Sequence, residues 1–184
     1  ANVDDDAYAD GLIAAEAVQR IHRATGKPGQ PFFIAVGFMK PHLPFVAPKK
    51  YWDLYDPATL PMPQVVDPPK DSPAYATQSG GELRTYSDMP QQGRISEEDT
   101  RRLIHGYYAA TSYTDAQIGK LLDAIDKAGL IDDTVVVLWG DHGWHLGDHS
   151  MWCKHTNYEQ ATRIPLIVAS PGCAAGQMTK SLIE

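Results

Sequence analysis

The chain has 184 residues, 43% of them hydrophobic, enough for one domain with its own core. Its formal net charge of -7 argues against a general nucleic-acid binder or a protein drawn to anionic membrane surfaces. No run of eighteen apolar residues occurs, so no membrane span is predicted, and two cysteines, Cys153 and Cys173, are too few for a disulfide framework.

The first residues are polar and acidic and read like mid-chain sequence, with no signal peptide visible. From Tyr8 to Ile21 the apolar positions Leu12, Ile13, Ala15, Ala17, Val18 and Ile21 fall at helical spacing. Asp4, Asp5 and Asp6 are expected at the positive end of that helix dipole, and Gly26 and Pro28 are expected to stop it. Phe32 to Phe38 is a solid apolar run, a candidate strand buried on both faces. It ends in Met39-Lys40-Pro41-His42-Leu43-Pro44, where the two prolines restrict where His42 can point. Residues 57–95 hold seven of the fourteen prolines and show no periodicity. They read as a long excursion near the mouth of a site, able to carry specificity.

Ser96 opens the clearest helix, with Asp99 three residues on as in a capping box. Ile104, Tyr107, Tyr108, Thr111, Ile118, Leu121, Leu122 and Ile125 mark its expected core face, and Gly129 its stop. At about thirty residues it is long for a globular helix, and a kink or division near Gly119 is expected. Thr134 to Trp139 is a second buried-strand candidate and Pro165 to Ala169 a third. Strands separated by helices predict an α/β domain with a mainly parallel sheet flanked by helices.

The chemistry gathers after Trp139, in DTVVVLWGDHGWHLGDHSMWCK. Four of the seven histidines, His142, His145, His149 and His155, fall within fourteen residues there, interleaved with Asp141, Asp148 and Lys154. Ligands bind at the carboxyl ends of strands in open α/β sheets, so a polyanion or metal site is expected at this edge. A solvated polar loop after a core strand is the plainer alternative. Asp141 and His142 are neighbours and point to opposite sides of an extended backbone, so they converge on one ion only if the chain bends at Gly140 and Gly143. Two ligands are too few for a metal. Lys154 and His42 suit an oxyanion beside it, the ammonium supplying charge and the imidazole a proton near neutral pH.

The segments FFIAVGFMKPHLPFVAP, YYAATSYTDAQIGKLLDAID, DTVVVLWGDHGWHLGDHSMWCK and YEQATRIPLIVASPG together resemble the type I sulfatases, of the alkaline phosphatase-like superfamily. Within these the resemblance is to the iduronate sulfatase branch and its bacterial relatives, and it runs from Phe32 to Gly172, weakly through 57–95. It implies that Asp141 and His142 are metal ligands and that His42 and Lys154 contact the substrate sulfate, as catalytic groups. Trp144 is implied near the sugar pocket, where a ring packs on a pyranose face, or else as a packed loop aromatic. Lys40, beside His42, is expected on the substrate side. The implied cofactor is a divalent metal, calcium first, with manganese, iron or zinc if a phosphodiesterase or phosphonate monoester hydrolase of the same superfamily is the better comparison. The implied substrate is a sulfated carbohydrate or other small sulfate ester, and the implied location periplasmic, secreted or lysosomal.

One departure is large. The family's nucleophile is a formylglycine made from the first residue of a Cys/Ser-x-Pro-x-Arg motif, and neither Cys153 nor Cys173 nor any serine here fits it. The family's first Asp-Asp metal pair is also unmatched. The chain is therefore expected to be the middle-to-late part of a catalytic domain, a partial alkaline phosphatase-like fold, whose remaining N-terminal part is its first partner. By itself it is expected to be inactive. A non-catalytic binding module that kept the pocket walls without a nucleophile is the alternative from another class.

Overall fold

The computed structural model describes residues 1–27 and 29–183. Its spine is helix α3, Glu97–Lys127, 31 residues without a break. Ser96 caps it as the sequence requires, its Oγ accepting the Asp99 N–H at 3.0 Å. Glu97, Glu98 and Asp99 in the first turn and Lys127 in the last suit the dipole. The division expected at Gly119 does not occur. One helical glycine costs only about 1 kcal/mol against alanine, and packing along the helix exceeds that.

Helix α1, Ala9–Thr25, lies against α3, and the short α2, Lys49–Trp52, crosses it further on. The face that α3 buries keeps Ile104 and Ile125 of the expected stripe and departs from it between them. Gly106, Ala109, Ala110, Tyr113 and Gln117 carry it, while Thr111 and Leu122 are exposed. Small residues let the neighbouring backbone approach, so the larger ones on either side of the seam fall to the flanks. The acidic start is also used differently. Asp5 sits in a 3-10 turn before α1, and Tyr8, without a side-chain cap, precedes the helix. Asp5 instead bonds Lys50 and Lys120, each at 2.8 Å. The helix ends at Thr25 with Gly26 following; Pro28 lies outside the described residues.

Strand β1, Val136–Trp139, forms from the apolar run before the Asp-His-Gly segment. Two residue pairs, His145–Leu146 (β2) and Trp152–Cys153 (β3), make a small hairpin, α4 is Glu159–Thr162, and β4 is Leu166–Ala169. β1 pairs with β4 with Val136 opposite Ala169 and Trp139 opposite Leu166. Layered helices and strands give the α/β class, but both ladders among the described residues are antiparallel, where mainly parallel pairing was expected. A parallel return needs a crossover of about a dozen residues or more, usually a helix, and the four-residue α4 supplies none. The 32–38 run, expected as a strand, joins no ladder among the described residues.

The expected burial of the strands on both faces is also not met. Trp139 is 62% exposed, Ile167 59% and Phe33 90%. Only the side facing the helices is covered, where Ile34 and Val136 pack against Ile21, Ala124 and Ile125. A second core, Leu43, Leu83, Met89, Leu103, Trp152 and Cys153, ties the 57–95 excursion to α3 and the hairpin. No helix of the described residues is long and apolar enough to cross a membrane.

Candidate active site

The His42 loop is pinned from below by one buried carboxylate. Asp10, 1% exposed on the inner face of α1, accepts the backbone N–H groups of Met39 at 2.8 Å and Lys40 at 2.9 Å. Thr114 of α3 donates to the Lys40 carbonyl at 3.1 Å. The Lys40 ammonium turns back on its own loop and donates to the carbonyls of His42 at 2.7 Å and Pro44 at 2.9 Å. Burial lowers its pKa, against the opposing pull of the Asp10 carboxylate. The structure thus places Lys40 as a clamp on the loop, with its charge directed at main-chain oxygens instead of the site.

Held this way, the His42 imidazole has one edge fixed on its own loop and the other turned to side chains from elsewhere in the chain. Its Nδ1 lies 2.9 Å from the Leu43 carbonyl. A carbonyl only accepts, so Nδ1 carries a proton and Nε2 is the working position. Nε2 stands 2.6 Å from Lys154 Nζ and 3.0 Å from Glu82 Oε1, and Lys154 Nζ is 3.2 Å from Glu82 Oε2. Residues far apart in the chain therefore meet as one imidazole, one ammonium and one carboxylate. Lys154 leaves the hairpin just after Cys153, whose φ of 67° is left-handed for a non-glycine residue. Such a conformation costs of order 1–3 kcal/mol and persists where the surroundings enforce it. Cys153 itself is packed in the core, where burial pushes its thiol up to about 11, opposed by a hydrogen bond from Leu83, and so favours the protonated thiol. Both cysteines are free, Cys153 buried and Cys173 exposed.

Trp144 joins this trio to the Asp-His pair. Its ring meets His42 edge-on at 5.4 Å, lies under the Lys154 ammonium at 5.4 Å, and stacks with His142 at 5.9 Å. Phe45 and Tyr107 back it at 6.2 and 6.4 Å, so it is both a packed aromatic and a wall of the site. Gly143 places the loop by close approach: a Cβ there would lie 2.1 Å from the Gln160 carbonyl, and its N–H donates to Ala161 O at 2.7 Å. Gly147, at φ 107°, makes the sharp turn of the hairpin.

Asp141 is largely exposed; its Oδ1 accepts the His142 N–H at 3.1 Å, and its Oδ2 lies 3.7 Å from His142 Nε2. His142 Nδ1 is engaged by the Gly143 carbonyl at 2.7 Å, leaving Nε2 as the ligand position. Two donors bonded to one divalent ion at about 2.0–2.4 Å sit roughly 3–4 Å apart, so this pair fits a shared cation. No group of three or more His, Cys, Asp or Glu suited to a metal occurs among the described residues. The other histidines of the stretch are elsewhere. His145 is fully buried against Thr156 at 2.7 Å with its pKa lowered by burial, His149 bonds the Asp67 carbonyl, and His155 is exposed.

Two participants escaped the sequence reading. Asp10 shares a helical face with Ala14, Ala17 and Ile21, and an acid on that apolar face was a usable signal. Glu82 had none, since it lies in the stretch without periodicity. That excursion and the hairpin also enclose a cleft of about 1070 Å³, on the far side of Trp152 and lined by none of the predicted site residues. Its arginines are already engaged, Arg84 on three main-chain carbonyls and Arg94 on Asp67.

The fold that carries the His42–Lys154–Glu82 cluster and the neighbouring Asp141–His142 pair is of the alkaline phosphatase-like α/β class. Within that class the chain belongs to the sulfatase family: the family's sequence model, described as Sulfatase, matches residues 2–184. The chain is 33% identical over 181 residues to iduronate 2-sulfatase of Mus musculus, covering 95% of this chain and 33% of that protein. It is 35% identical over 147 residues to choline-sulfatase of Rhizobium meliloti, covering 80% of this chain and 28% of that one. Among solved structures, a phosphonate monoester hydrolase from Silicibacter pomeroyi superposes with a TM-score of 0.77 at 28% identity, over 95% of this chain and 35% of that one. The chain thus spans about a third of the length of the relatives it matches.

Proposed function

We propose that this chain is the middle-to-late part of a sulfatase catalytic domain that hydrolyses a sulfate ester on a sulfated sugar. The observation that carries the reading is the juxtaposition of His42 Nε2 and Lys154 Nζ, 2.6 Å apart on separate loops beside the Asp-His pair. In the structure the Lys154 ammonium donates to Nε2; an entering oxyanion takes that donor, and Nε2, once protonated, offers a second to an adjacent oxygen of the same tetrahedral group. Lys154 holds a non-bridging oxygen and stabilises charge as it develops; His42, with Nδ1 fixed on Leu43, delivers a proton from Nε2 to the leaving oxygen. Trp144 offers a ring to a sugar face. Asp141 and His142 hold a divalent cation, calcium first, which when bound supplies positive charge to the oxyanion and the nucleophile.

The nucleophile, expected as formylglycine, and the remaining metal ligands are supplied by polypeptide outside these 184 residues, which alone do not turn over substrate. The uncovered apolar faces of β1 and β4 support this, since a shared core requires something to lie on them. A sulfated sugar is favoured by the likeness to iduronate 2-sulfatase, and a periplasmic, secreted or lysosomal setting by the family alone. The likeness to a phosphonate monoester hydrolase supports a second reading, phosphonate or phosphodiester cleavage with manganese, iron or zinc.

The experiment is a rate comparison on the full-length protein with 4-nitrophenyl sulfate and phenyl phosphonate ester. Faster sulfate turnover, lost with a chelator and restored by calcium, is the expected result. Faster phosphonate cleavage restored by manganese would favour the second reading and overturn the first.

A further inference from the structure

We propose that Glu82 sets the charge of the ester this site accepts, matching the His42–Lys154 subsite to a monoanionic tetrahedral group and disfavouring a dianionic one. The inference rests on the reading of His42 and Lys154 as oxyanion contacts. Glu82 straddles both, with Oε1 3.0 Å from His42 Nε2 and Oε2 3.2 Å from Lys154 Nζ. Its side chain is only 25% exposed, and Oε2 is shut off from solvent with the Lys154 ammonium as its ionic neighbour but no well-directed hydrogen bond. The carboxylate is therefore poorly screened by water and acts at close range.

The charge is also fixed in place. Glu82 begins a 3-10 turn whose next residue, Leu83, is 2% exposed in the core. Arg84 ties the same loop to the carbonyls of Ser79, Pro90 and Gly93, and the Gln78 side chain binds the Trp152 carbonyl and the Gly80 N–H. Lys40, the nearby cation that could offset it, spends its donors on main-chain oxygens. Lys154 and His42 together bring at most two positive charges, and Glu82 removes one.

A sulfate monoester, a phosphonate monoester and a phosphodiester each carry one negative charge. A phosphate monoester carries two once its second proton, with a pKa near 6, is lost. Repulsion from a fixed carboxylate scales with ligand charge, so the dianion bears twice the penalty at the same position. Placing a like charge where the wrong ligand would suffer most is how sites exclude close analogues.

The test measures the dissociation constants of methyl sulfate and methyl phosphate at pH 8 for the full-length protein, Glu82→Gln and Lys154→Ala. Glu82→Gln is expected to tighten methyl phosphate about tenfold more than methyl sulfate, the size of one unit-charge interaction at about 6 Å in an effective dielectric of about 40. A phosphate-to-sulfate ratio unchanged by Glu82→Gln, or moved toward sulfate, overturns the role of Glu82. Binding of either ligand that Lys154→Ala leaves unaltered, or no binding of either, instead overturns the oxyanion reading and the inference with it. Should Glu82→Gln fail to fold, Glu82→Asp, which withdraws the charge by one methylene, is expected to shift the ratio in the same sense by less; no shift overturns the role equally.

Discussion

At Asp5 a single carboxylate, 12% exposed, takes hydrogen bonds from Lys120 and Lys50 at 2.8 Å, Tyr51 at 3.0 Å and Gln117 at 3.3 Å. Burial alone would raise its pKa, but these partners outweigh it and hold the carboxyl far below the ordinary 3.8. A depressed folded-state pKa stabilises at every pH above the unfolded value and loses that contribution as pH falls toward the folded one. Asp5→Asn is therefore expected to cost about 1–3 kcal/mol at pH 7, with the gap to wild type closing in acid denaturant titrations below about pH 4. A gap that persists unchanged at pH 3 would show that the charge is not what Asp5 contributes. Side chains of this kind were partly legible. The acidic triplet was visible, but its partners at 50, 51, 117 and 120 are set by how α1, α2 and α3 pack.

Among the elements, α3 was the most legible because its signals are local: a serine cap, acids in the first turn, and a 3.6-residue period. Its buried face was less so, since the choice between Ile118–Leu122 and Ala109–Tyr113 depends on which neighbour arrives. Tyr113 records that choice. Fully buried, it accepts the Gly11 N–H at 2.7 Å and donates to the Asp5 carbonyl at 2.7 Å, and burial pushes its pKa up to about 12. Tyr113→Phe removes both bonds, leaving the Gly11 N–H only its longer contact to the Tyr8 carbonyl at 3.1 Å and the Asp5 carbonyl without the phenol. The expected loss is about 1–3 kcal/mol in urea melts with the slope unchanged. A loss below about 0.5 kcal/mol would mean that ring packing, and not the hydroxyl, joins α1 to α3. The strands show the opposite case. Thr134 to Trp139 has the composition of a doubly buried strand, whereas the described residues cover only the side that faces the helices.

Across the molecule, the site is assembled from four stretches: the Asp10-pinned loop at 39–44, the excursion at Glu82, the Asp-His-Gly turn, and Lys154 beyond the hairpin. His42, Lys154, Asp141, His142 and Trp144 stood out in the sequence because each lies beyond an apolar run, where ligands collect in open α/β sheets, and the structure brings them close to one another. The direction of the Lys40 ammonium was not legible, because a lysine two residues before a histidine looks the same in sequence whether it faces an open site or the main-chain oxygens it meets here. Glu82 was invisible because a carboxylate in an aperiodic loop gains meaning only from the two cations it meets. Whether Lys154 and His42 act together on a sulfate group is tested by kcat/KM for an aryl sulfate in the full-length protein and its Lys154→Ala variant. The expected result is a fall of about a hundredfold or more with the melting temperature little changed, as loss of one preorganised charge contact should produce. A variant within about threefold of wild type would contradict it, because the ammonium would then lie beside the reaction without serving it.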